Sequence, residues 1–413
     1  MKKYGRVKGG ANHSEMKRGF LENKIHETTP DFFNRNQPDC QLPEVYQPVR
    51  PRHFEVDRIF FSSGSRTNSE RIRLVDGICK LYPKAEIIDC QSVPHNRIEL
   101  GEKDPAARIA KGKRSLVFGE HKSAVRFSDE AGNACPNYWH FSPYGFCFYG
   151  CKYCYLAGTL GVWHSPAIKI FVNLEEIIQE INRTADRLAA PTAFYLGKLQ
   201  DGLALDTLTG YSEMLVPFFA QHRFARQVIL TKSDQVERLL KLDHQGHTIL
   251  SWSLNPPEIA MLFESNAPGV KNRIRAMQKC AEKGYPVRAV IMPVIPVSGW
   301  QDYYSSFIKN LVEGVPLSRL TMGGICIYKN ARKLMAHRLG AENAISINID
   351  RGSGLLDGRA RYAPEIRLEI YSHIINTARK VRPNLEMALC LEEPQVWEAV
   401  GLRGSMGRCN CGL

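Results

Sequence analysis

The chain has 413 residues, of which 44% are hydrophobic and 23% are charged, and 55 Lys and Arg residues against 42 Asp and Glu residues give a net charge of +13. These values are ordinary for a globular protein with one large domain or two or three small ones. No apolar run reaches the roughly 18 residues of a membrane-spanning helix, and no apolar stretch follows the N-terminal lysines as a secretory signal requires, so we expect a cytoplasmic protein with no membrane partner.

The positive charge and the twelve cysteines narrow the class of partner and cofactor. An excess of Lys and Arg favours a polyanionic partner such as DNA or a nucleotide, although a well-solvated basic surface would give the same composition. In a reducing compartment, cysteines are more readily metal ligands or buried apolar residues than disulfides. Their spacing therefore decides their role.

The N-terminal third predicts an irregular extension followed by a small mixed segment. Residues 1–54 are polar, carry Pro, Asn and Lys without a sustained period, and predict a largely irregular extension. Residues 55–130 predict a small mixed α/β segment. In it, DRIFFSS and KAEIIDC are predicted strands, Ser69–Tyr82 is a helix between them, and Ser115–His121 is a further strand.

From Ala167 onward, apolar runs rich in β-branched residues alternate with stretches of helical period. The predicted strands are Ala167–Val172, Thr192–Leu196, Arg226–Thr231, Thr248–Ser253, Val287–Pro293 and Arg319–Ile327, and the predicted helices are Leu174–Leu188, Tyr211–His222, Gln235–Leu242, Val270–Lys283, Asp302–Glu313 and Pro364–Val381. Six strands alternating with helices predict an α/β fold with parallel strands, either a doubly wound sheet or a complete or partial barrel. In each of these folds the chemistry lies at the C-terminal ends of the strands.

A three-cysteine loop just before this series is the sharpest signal in the chain. The segment YGFCFYGCKYCYLAG places Cys147, Cys151 and Cys154 in a C-x3-C-x2-C spacing. Three thiolates can hold three irons of a 4Fe–4S cluster, and the fourth iron is then open to the amino and carboxylate groups of S-adenosylmethionine. An electron passed to the sulfonium releases a 5′-deoxyadenosyl radical, while the protein orients the reactants. Zinc would need a fourth ligand that this loop lacks, so the spacing predicts a radical S-adenosylmethionine enzyme.

The residues around this loop resemble one family within that superfamily. YGCKYCYLAGTLG, followed by IKIFVNLEEI, is similar to the spore photoproduct lyase family of DNA-repair enzymes, and the similarity runs from about residue 55 to about residue 390. The resemblance implies a partial (β/α)6 barrel of the radical S-adenosylmethionine type over 131–345, after the N-terminal mixed α/β segment. A C-terminal hairpin and helix region over 346–390 and a cysteine-containing tail over 391–413 follow.

The resemblance also implies roles for individual residues. Cys147, Cys151 and Cys154 match the cluster ligands, and Tyr153 and Tyr155 match catalytic residues beside the radical. Four residues at strand ends match cofactor contacts: Asp201, Lys232, Ser253 and Asn255. Two arginines in DGRARY, Arg359 and Arg361, match contacts with the DNA backbone. Without the resemblance, these positions would be interpreted as a loop aspartate, a lysine at the end of a strand, an Asn-Pro-Pro turn and a solvated basic turn.

One position departs from the family pattern. In the family's lesion repair, a hydrogen is removed from the thymine dimer, the methylene bridge breaks, and a cysteine on a barrel loop donates a hydrogen to the product radical. The corresponding stretch here, FYLGKLQDGLALDTLTG, contains no cysteine, and Lys198 is the best-matching residue. Because an ammonium N–H bond is far stronger than a thiol S–H bond, either another group donates the hydrogen or the reaction differs.

The second departure is the C-terminal CNCGL, which places Cys409 and Cys411 beyond the resemblance. The pair could be a metal chelate, ligands of an auxiliary Fe–S cluster, a redox pair or the replacement hydrogen donor. The plain alternative is an exposed tail with two incidental thiols. A second cluster would need further ligands, for which the candidates are Cys79, Cys90, Cys135 and Cys390. Cys280 and Cys326 lie on helix and strand patterns and are expected in the core.

The sequence therefore predicts a radical S-adenosylmethionine lyase that acts on a DNA pyrimidine photolesion or a related nucleotide. Its expected cofactors are a 4Fe–4S cluster and S-adenosylmethionine, and its expected partners are DNA or a nucleotide and an external electron donor such as flavodoxin or ferredoxin. The alternative is a radical enzyme on a small metabolite, in which the C-x-C tail carries an auxiliary cluster or a thiol. A non-enzymatic DNA-binding protein with a structural metal is the third hypothesis.

Overall fold

The computed structural model describes residues 46–129, 132–350, 352 and 357–413, all within the unit Cys40–Leu413. Of the predicted irregular extension 1–54, residues 1–45 are outside the described residues, and residues 46–54 contain no helix or strand. Within the described ranges, no helix combines the length and the apolar character that crossing a membrane requires.

The first sheet is built by strands of the N-terminal half. In chain order the elements of this half are β1 (Arg58–Ser62), α1 (Ser69–Cys79), β2 (Glu86–Cys90), α2 (Pro105–Gly112), β3 (Ser115–Gly119), β4 (Val125–Ser128), β5 (Tyr138–Phe141), β6 (Tyr144–Gly145), β7 (Gly150–Cys151), α3 (Leu160–His164), β8 (Ile168–Phe171) and α4 (Leu174–Leu188). The sheet has the order β2-β1-β3-β8-β6, and its only antiparallel pair among the described residues is β8–β6. β3 is buried at every position, as expected of a parallel strand covered on both faces.

The second sheet contains most strands of the C-terminal half. The elements of that half are β9 (Thr192–Leu196), α5 (Asp206–Thr209), α6 (Ser212–Gln221), β10 (Ala225–Thr231), β11 (Thr248–Ser253), α7 (Pro257–Phe263), β12 (Glu264–Ser265), α8 (Val270–Glu282), β13 (Val287–Ile291), α9 (Trp300–Gly314), β14 (Arg319–Met322), β15 (Cys326–Tyr328), α10 (Lys329–Leu339), β16 (Arg359–Arg361), α11 (Pro364–Val381), β17 (Met387–Leu389) and α12 (Pro394–Ala399). The sheet order is β17-β14-β13-β11-β10-β9-β5-β4, and the pairs from β17 to β5 are all parallel. The sheet is open, with β17 and β4 at its edges, which agrees with the predicted partial barrel.

The two sides of this open sheet are connected by contacts between loops. Among the described residues, no pair of hydrogen-bonded strands joins them. Ahead of β5, the Ala134 N–H donates to the Glu392 carbonyl over 2.8 Å. Just after β17, the Leu391 N–H donates to the Cys135 Sγ over 3.3 Å, although the two residues are 256 positions apart in sequence. We call these contacts between residues 134–135 and 391–392 the seam.

Three sequence-based assignments differ from the structure. The run Ala167–Val172 forms β8 in the first sheet, so it is not the first strand of the barrel series; its apolar pattern indicates burial but not the sheet to which it belongs. The run Arg319–Ile327 forms two strands, Arg319–Met322 and Cys326–Tyr328. The strand is interrupted at Gly324, whose N–H donates to the Tyr371 hydroxyl over 2.5 Å and not to a neighbouring strand. The predicted helix Gln235–Leu242 is only the 3-10 turn Leu239–Lys241, since so short a segment is a marginal helix.

Candidate active site

A cavity of about 400 Å³ opens at the C-terminal ends of the parallel strands of the second sheet. The strand ends that contribute to its wall are represented by Gly197 and Lys198 after β9, Thr231 and Lys232 at β10, Ser253 in β11 and Met292 after β13. This is the edge at which parallel α/β folds bind their ligands. The cavity is therefore the candidate active site.

The three cysteines of the predicted cluster loop line this cavity. Burial raises the pKa of Cys151 to about 11 and raises that of Cys147 further. In the part of the chain that the structure describes, no three His, Cys, Asp or Glu side chains are grouped to hold a single metal ion. A 4Fe–4S cluster does not need such a group, because each thiolate binds a different iron. Iron binding would also keep buried thiols deprotonated, so these residues fit the cluster.

A short ladder holds the cluster loop against the second sheet's connections. β7, which contains Cys151, pairs antiparallel with β12, and Cys151 lies opposite Glu264. The adjacent Lys152 N–H donates to the Phe263 carbonyl over 2.8 Å. These backbone hydrogen bonds fix the loop and position its cysteines relative to α7 and β12.

A buried charge cluster lies behind this ladder. Glu264 accepts a hydrogen bond from the Tyr153 hydroxyl and forms an ion pair of 2.6 Å with Arg273 Nη1. The Lys232 Nζ lies 3.8 Å from the Glu264 carboxylate. Burial alone would raise the pKa of Glu264, but Lys232 and Arg273 hold it below its usual value. The carboxylate is therefore ionised, and Tyr153 is a buried partner of this cluster.

Lys232 and Ser253 lie together at the cavity wall. The Lys232 Nζ donates to the Ser253 Oγ over 2.6 Å and is 5.8 Å from the centre of the Tyr153 ring. Both residues line the cavity. An ammonium beside a hydroxyl can bind a carboxylate, so this pair suits the carboxylate of S-adenosylmethionine.

The predicted cofactor residues Asp201 and Asn255 are used mainly by the protein itself. Asp201 accepts hydrogen bonds from the Thr231 hydroxyl at 2.6 Å and from the Lys232 N–H at 2.7 Å, so it fixes the loop after β9 to the end of β10. Asp201 still lines the cavity. Asn255 is buried and is not part of the cavity wall; it accepts from Tyr304 at 2.8 Å and donates to the Pro293 carbonyl at 3.2 Å.

Tyr155 lies on the cavity side of the cluster loop. Its side chain is 39% exposed and lines the cavity, and its hydroxyl donates to the Lys198 carbonyl. Lys198 also lines the cavity, where its Nζ donates to the Ser128 hydroxyl and lies 5.1 Å from the centre of the Tyr138 ring. The residue that matches the family's cysteine is thus at the site, but it is an amine and not a thiol.

The C-terminal cysteines are buried against the second sheet, which rules out an exposed tail. Cys409 is fully buried and Cys411 is 9% exposed. The thiols of Cys135 and Cys411 both donate hydrogen bonds to Cys409. Cys411, Cys135 and Cys390 line the cavity. Four cysteines from three separate segments therefore meet at one side of the candidate active site.

The remaining predicted residues are distributed as follows. Arg359 and Arg361 are buried in β16, where both form ion pairs with Asp357 of 2.9 and 2.6 Å. Their guanidinium groups therefore do not form an exposed hairpin surface, although Arg359 lines the cavity. Cys79 and Cys90 lie in α1 and β2, away from the cavity, whereas Cys280 and Cys326 are buried as expected.

Sequence reasoning missed Glu264 and Arg273. Each lies in a segment with ordinary helical or turn composition, and nothing local distinguishes it from a surface charge. Their roles depend on long-range contacts, because Glu264 meets Tyr153 across 111 positions of sequence. A buried carboxylate next to a cluster loop is a tertiary feature, and no spacing rule would have found it.

Comparison with known proteins decides the family. The model of the spore photoproduct lyase family matches residues 68–339. The chain belongs to the spore photoproduct lyase family. Its membership confirms the family that the residues around the cluster loop resemble, and with it the radical S-adenosylmethionine enzyme class and the cofactors of that class, a 4Fe–4S cluster and S-adenosylmethionine.

Individual spore photoproduct lyases agree with this membership. The enzyme of Geobacillus sp. (strain Y412MC61) is 29% identical over 237 residues, which cover 56% of this chain and 67% of the relative. The enzyme of Bacillus subtilis (strain 168) is 27% identical over 229 residues, which cover 55% of this chain and 65% of the relative. The alignments thus span about two thirds of the length of these relatives.

Solved structures of spore photoproduct lyase share the fold. One, complexed with dinucleoside spore photoproduct, has a TM-score of 0.70 at 21% identity and covers 82% of this chain and 99% of its own. A mutant with bound AdoMet and dinucleoside spore photoproduct gives the same values. The likeness confirms the predicted fold class, a partial barrel of α/β type.

Proposed function

We propose that this protein is a radical S-adenosylmethionine lyase that repairs a pyrimidine photolesion in DNA or in a related nucleotide. One observation carries the proposal: the three cysteines of the cluster loop line the same cavity as the polar strand ends Lys232 and Ser253. Family membership and two solved relatives with dinucleoside spore photoproduct support the choice of substrate.

The cavity residues divide into a cofactor side and a substrate side. On the cofactor side, Cys147, Cys151 and Cys154 would bind three irons, and Lys232 with Ser253 would bind the carboxylate of S-adenosylmethionine. When bound, these cofactors supply one electron and a 5′-deoxyadenosyl group that removes a hydrogen atom from the substrate. Asp201 holds the loop that carries Lys198 in place, through its bonds to Thr231 and Lys232.

Aromatic rings and positive charge favour a nucleic-acid substrate. Tyr138 and Tyr195 line the cavity with their rings 5.8 Å apart and edge to face. Aromatic side chains in such a wall offer a stacking surface to a base, and the net charge of +13 favours a polyanion. The electron would come from an external donor such as flavodoxin or ferredoxin, in a reducing compartment such as the cytoplasm that keeps thiols and cluster intact.

The test is anaerobic reconstitution with iron and sulfide, followed by reduction in the presence of S-adenosylmethionine and dinucleotide spore photoproduct. Mass spectrometry should detect restored thymine dinucleotide together with 5′-deoxyadenosine. Cys151→Ala should lose iron and both products. Cys79→Ala, which changes a cysteine away from the cavity, should behave like the wild type. Formation of 5′-deoxyadenosine without repair would reject the lesion substrate and keep the enzyme class.

The second candidate function is a radical reaction on a small metabolite with an auxiliary cluster. The observation that favours it is the position of Cys135, Cys390 and Cys411 in the wall of the same cavity. Analysis of the reconstituted protein separates the two functions, because an auxiliary cubane would raise the iron content from about four to about eight per chain.

A further inference from the structure

The C-terminal segment 409–413 lies across one face of the second sheet and is held there by three neighbouring strands. Ser251, Arg288 and Arg319 occupy matching positions of β11, β13 and β14. The Ser251 hydroxyl donates to the Asn410 Oδ1 over 2.8 Å. These three residues form a row across the sheet, and the C-terminal segment is bound along this row.

Two buried arginines complete this attachment. The Arg288 Nη1 donates to the Gly412 carbonyl over 2.6 Å, and the Arg319 Nη1 donates to the Cys409 carbonyl over 2.9 Å. Both arginines are at most 5% exposed. A buried guanidinium needs hydrogen-bond partners, and here the backbone of the C-terminal segment supplies them. The two arginines bind only backbone carbonyls of the segment, so they do not use the Asn410 Nδ2 or the Cys411 side chain.

Asn410 and Cys411 face the cavity with groups suited to a substrate. Asn410 is 3% exposed and lines the cavity, and its Nδ2 has no hydrogen-bond partner among the described residues. A buried amide donor without a partner, on a residue of the cavity wall, indicates a ligand with an acceptor, such as the carbonyl of a base. Cys411 lines the same cavity, whereas Cys409 does not.

The cysteines behind Cys411 keep it in the thiol form. The hydrogen bond that Cys411 donates to Cys409, together with burial, raises the pKa of Cys411 well above its usual value. The hydrogen bonds that Cys409 receives from Cys135 and Cys411 lower the pKa of Cys409. Burial and the hydrogen bond to Cys409 therefore keep the S–H bond of Cys411 intact.

We propose that Cys411 is the hydrogen-atom donor to the substrate radical, in place of the loop cysteine that Lys198 replaces, and that the Asn410 amide binds the substrate base. The inference rests on the proposed function. In this step the S–H bond of Cys411 breaks homolytically, a C–H bond forms on the substrate carbon, and the unpaired electron moves to sulfur. One electron from the external donor and one proton from solvent then return the thiyl radical to the thiol.

Repair in D2O tests the step directly, because a thiol exchanges its hydrogen with solvent. The wild type should place one deuterium in each repaired dinucleotide. Cys411→Ala and Cys411→Ser should still form 5′-deoxyadenosine but lose repair by at least about tenfold. Cys280→Ala is the control, because Cys280 is a buried cysteine of α8 that does not line the cavity, and this variant should keep repair and deuterium incorporation. Adding Lys198→Cys to Cys411→Ala should restore both, which a misfolded variant could not do.

A second readout does not depend on turnover. In the resting holoenzyme without electron donor, iodoacetamide at alkaline pH should alkylate Cys411, which lines the cavity, and dinucleotide spore photoproduct should slow this reaction. Asn410→Ala should weaken this protection by the dinucleotide.

Three results would overturn the assignment. Cys411→Ala could repair with the same deuterium content as the wild type, the dinucleotide could leave alkylation of Cys411 unchanged, or iron could fall from about eight to about four per chain in Cys411→Ala, which would make Cys411 a cluster ligand. A wild type that forms 5′-deoxyadenosine but repairs nothing would instead reject the proposed function, and the Cys411 assignment with it.

Discussion

Glu264 shows how one buried residue supports the cluster loop. Its carboxylate is almost fully enclosed and balances two cations, Arg273 and Lys232, while it also accepts from Tyr153. Ions in a protein interior are tolerated only when partners replace the water that they lose. Because Glu264 also lies opposite Cys151 in the β7–β12 ladder, the same residue connects the charge cluster with the cysteine loop.

Glu264→Gln should therefore destabilise the protein strongly. The change leaves Arg273, whose side chain is 1% exposed, without its anion, and breaking a buried pair in this way costs about 3–5 kcal/mol. Urea unfolding measures the loss, and the iron content after reconstitution measures its effect on the loop. Glu237→Gln is the matched control, because the Glu237–Lys279 pair is exposed and exposed pairs contribute little. Equal unfolding midpoints for the two variants would contradict the assigned role.

At the scale of elements, local pattern predicted much of the fold. The predicted bounds Thr192–Leu196, Leu174–Leu188 and Pro364–Val381 coincide with β9, α4 and α11, because apolar period and end-capping residues are local signals. Sheet membership is not local, so the run that forms β8 was placed in the wrong sheet. The site was likewise predicted only in part. The spacing of the three cysteines is a local signal that identifies them. The position of Asn410 depends on its hydrogen bond with Ser251, 159 residues away in sequence, and no local pattern indicates it.

The C-terminal segment behaves as an element of the second sheet, and its removal should be costly. A chain that stops at Arg408 would leave Arg288 and Arg319 buried without the carbonyls of residues 409–413 that they bind. We expect a loss of about 3 kcal/mol or more in the free energy of unfolding, measured by urea denaturation. Arg403→Ala, which removes a largely exposed guanidinium close by, should have little effect. A truncated chain as stable as the full chain would show that the segment is only loosely attached.

At the scale of the whole molecule, the first sheet makes stability depend on pH. His95 and His121 pack edge to face at 5.6 Å, and both contact Phe171. Burial lowers the pKa of His95 to about 3 and that of His121 to about 4. Folding therefore holds both rings uncharged at pH values where the unfolded chain, with a histidine pKa near 6.5, already binds protons.

The sign of the effect follows from linkage. Between about pH 6.5 and pH 4 the unfolded state binds more protons than the folded state, so the free energy of unfolding falls as the pH is lowered. We expect His121→Gln to reduce this fall by about 1–2 kcal/mol, measured by urea denaturation at pH 7 and pH 4.5. Comparison with the wild type cancels groups that act in the opposite direction, such as Glu392, whose pKa burial raises to about 7. An unchanged pH dependence in the variant would show that His121 is charged in the folded protein.

The seam is the side of this partial barrel where local opening requires the least free energy. Contacts such as those from Ala134 to Glu392 and from Leu391 to Cys135 join its two margins, whereas neighbouring strands elsewhere share continuous ladders. Local opening costs least where few backbone bonds must break together. A long polymer could then enter the barrel from the side, without threading a free end. A barrel closed by a continuous strand ladder would admit only short fragments.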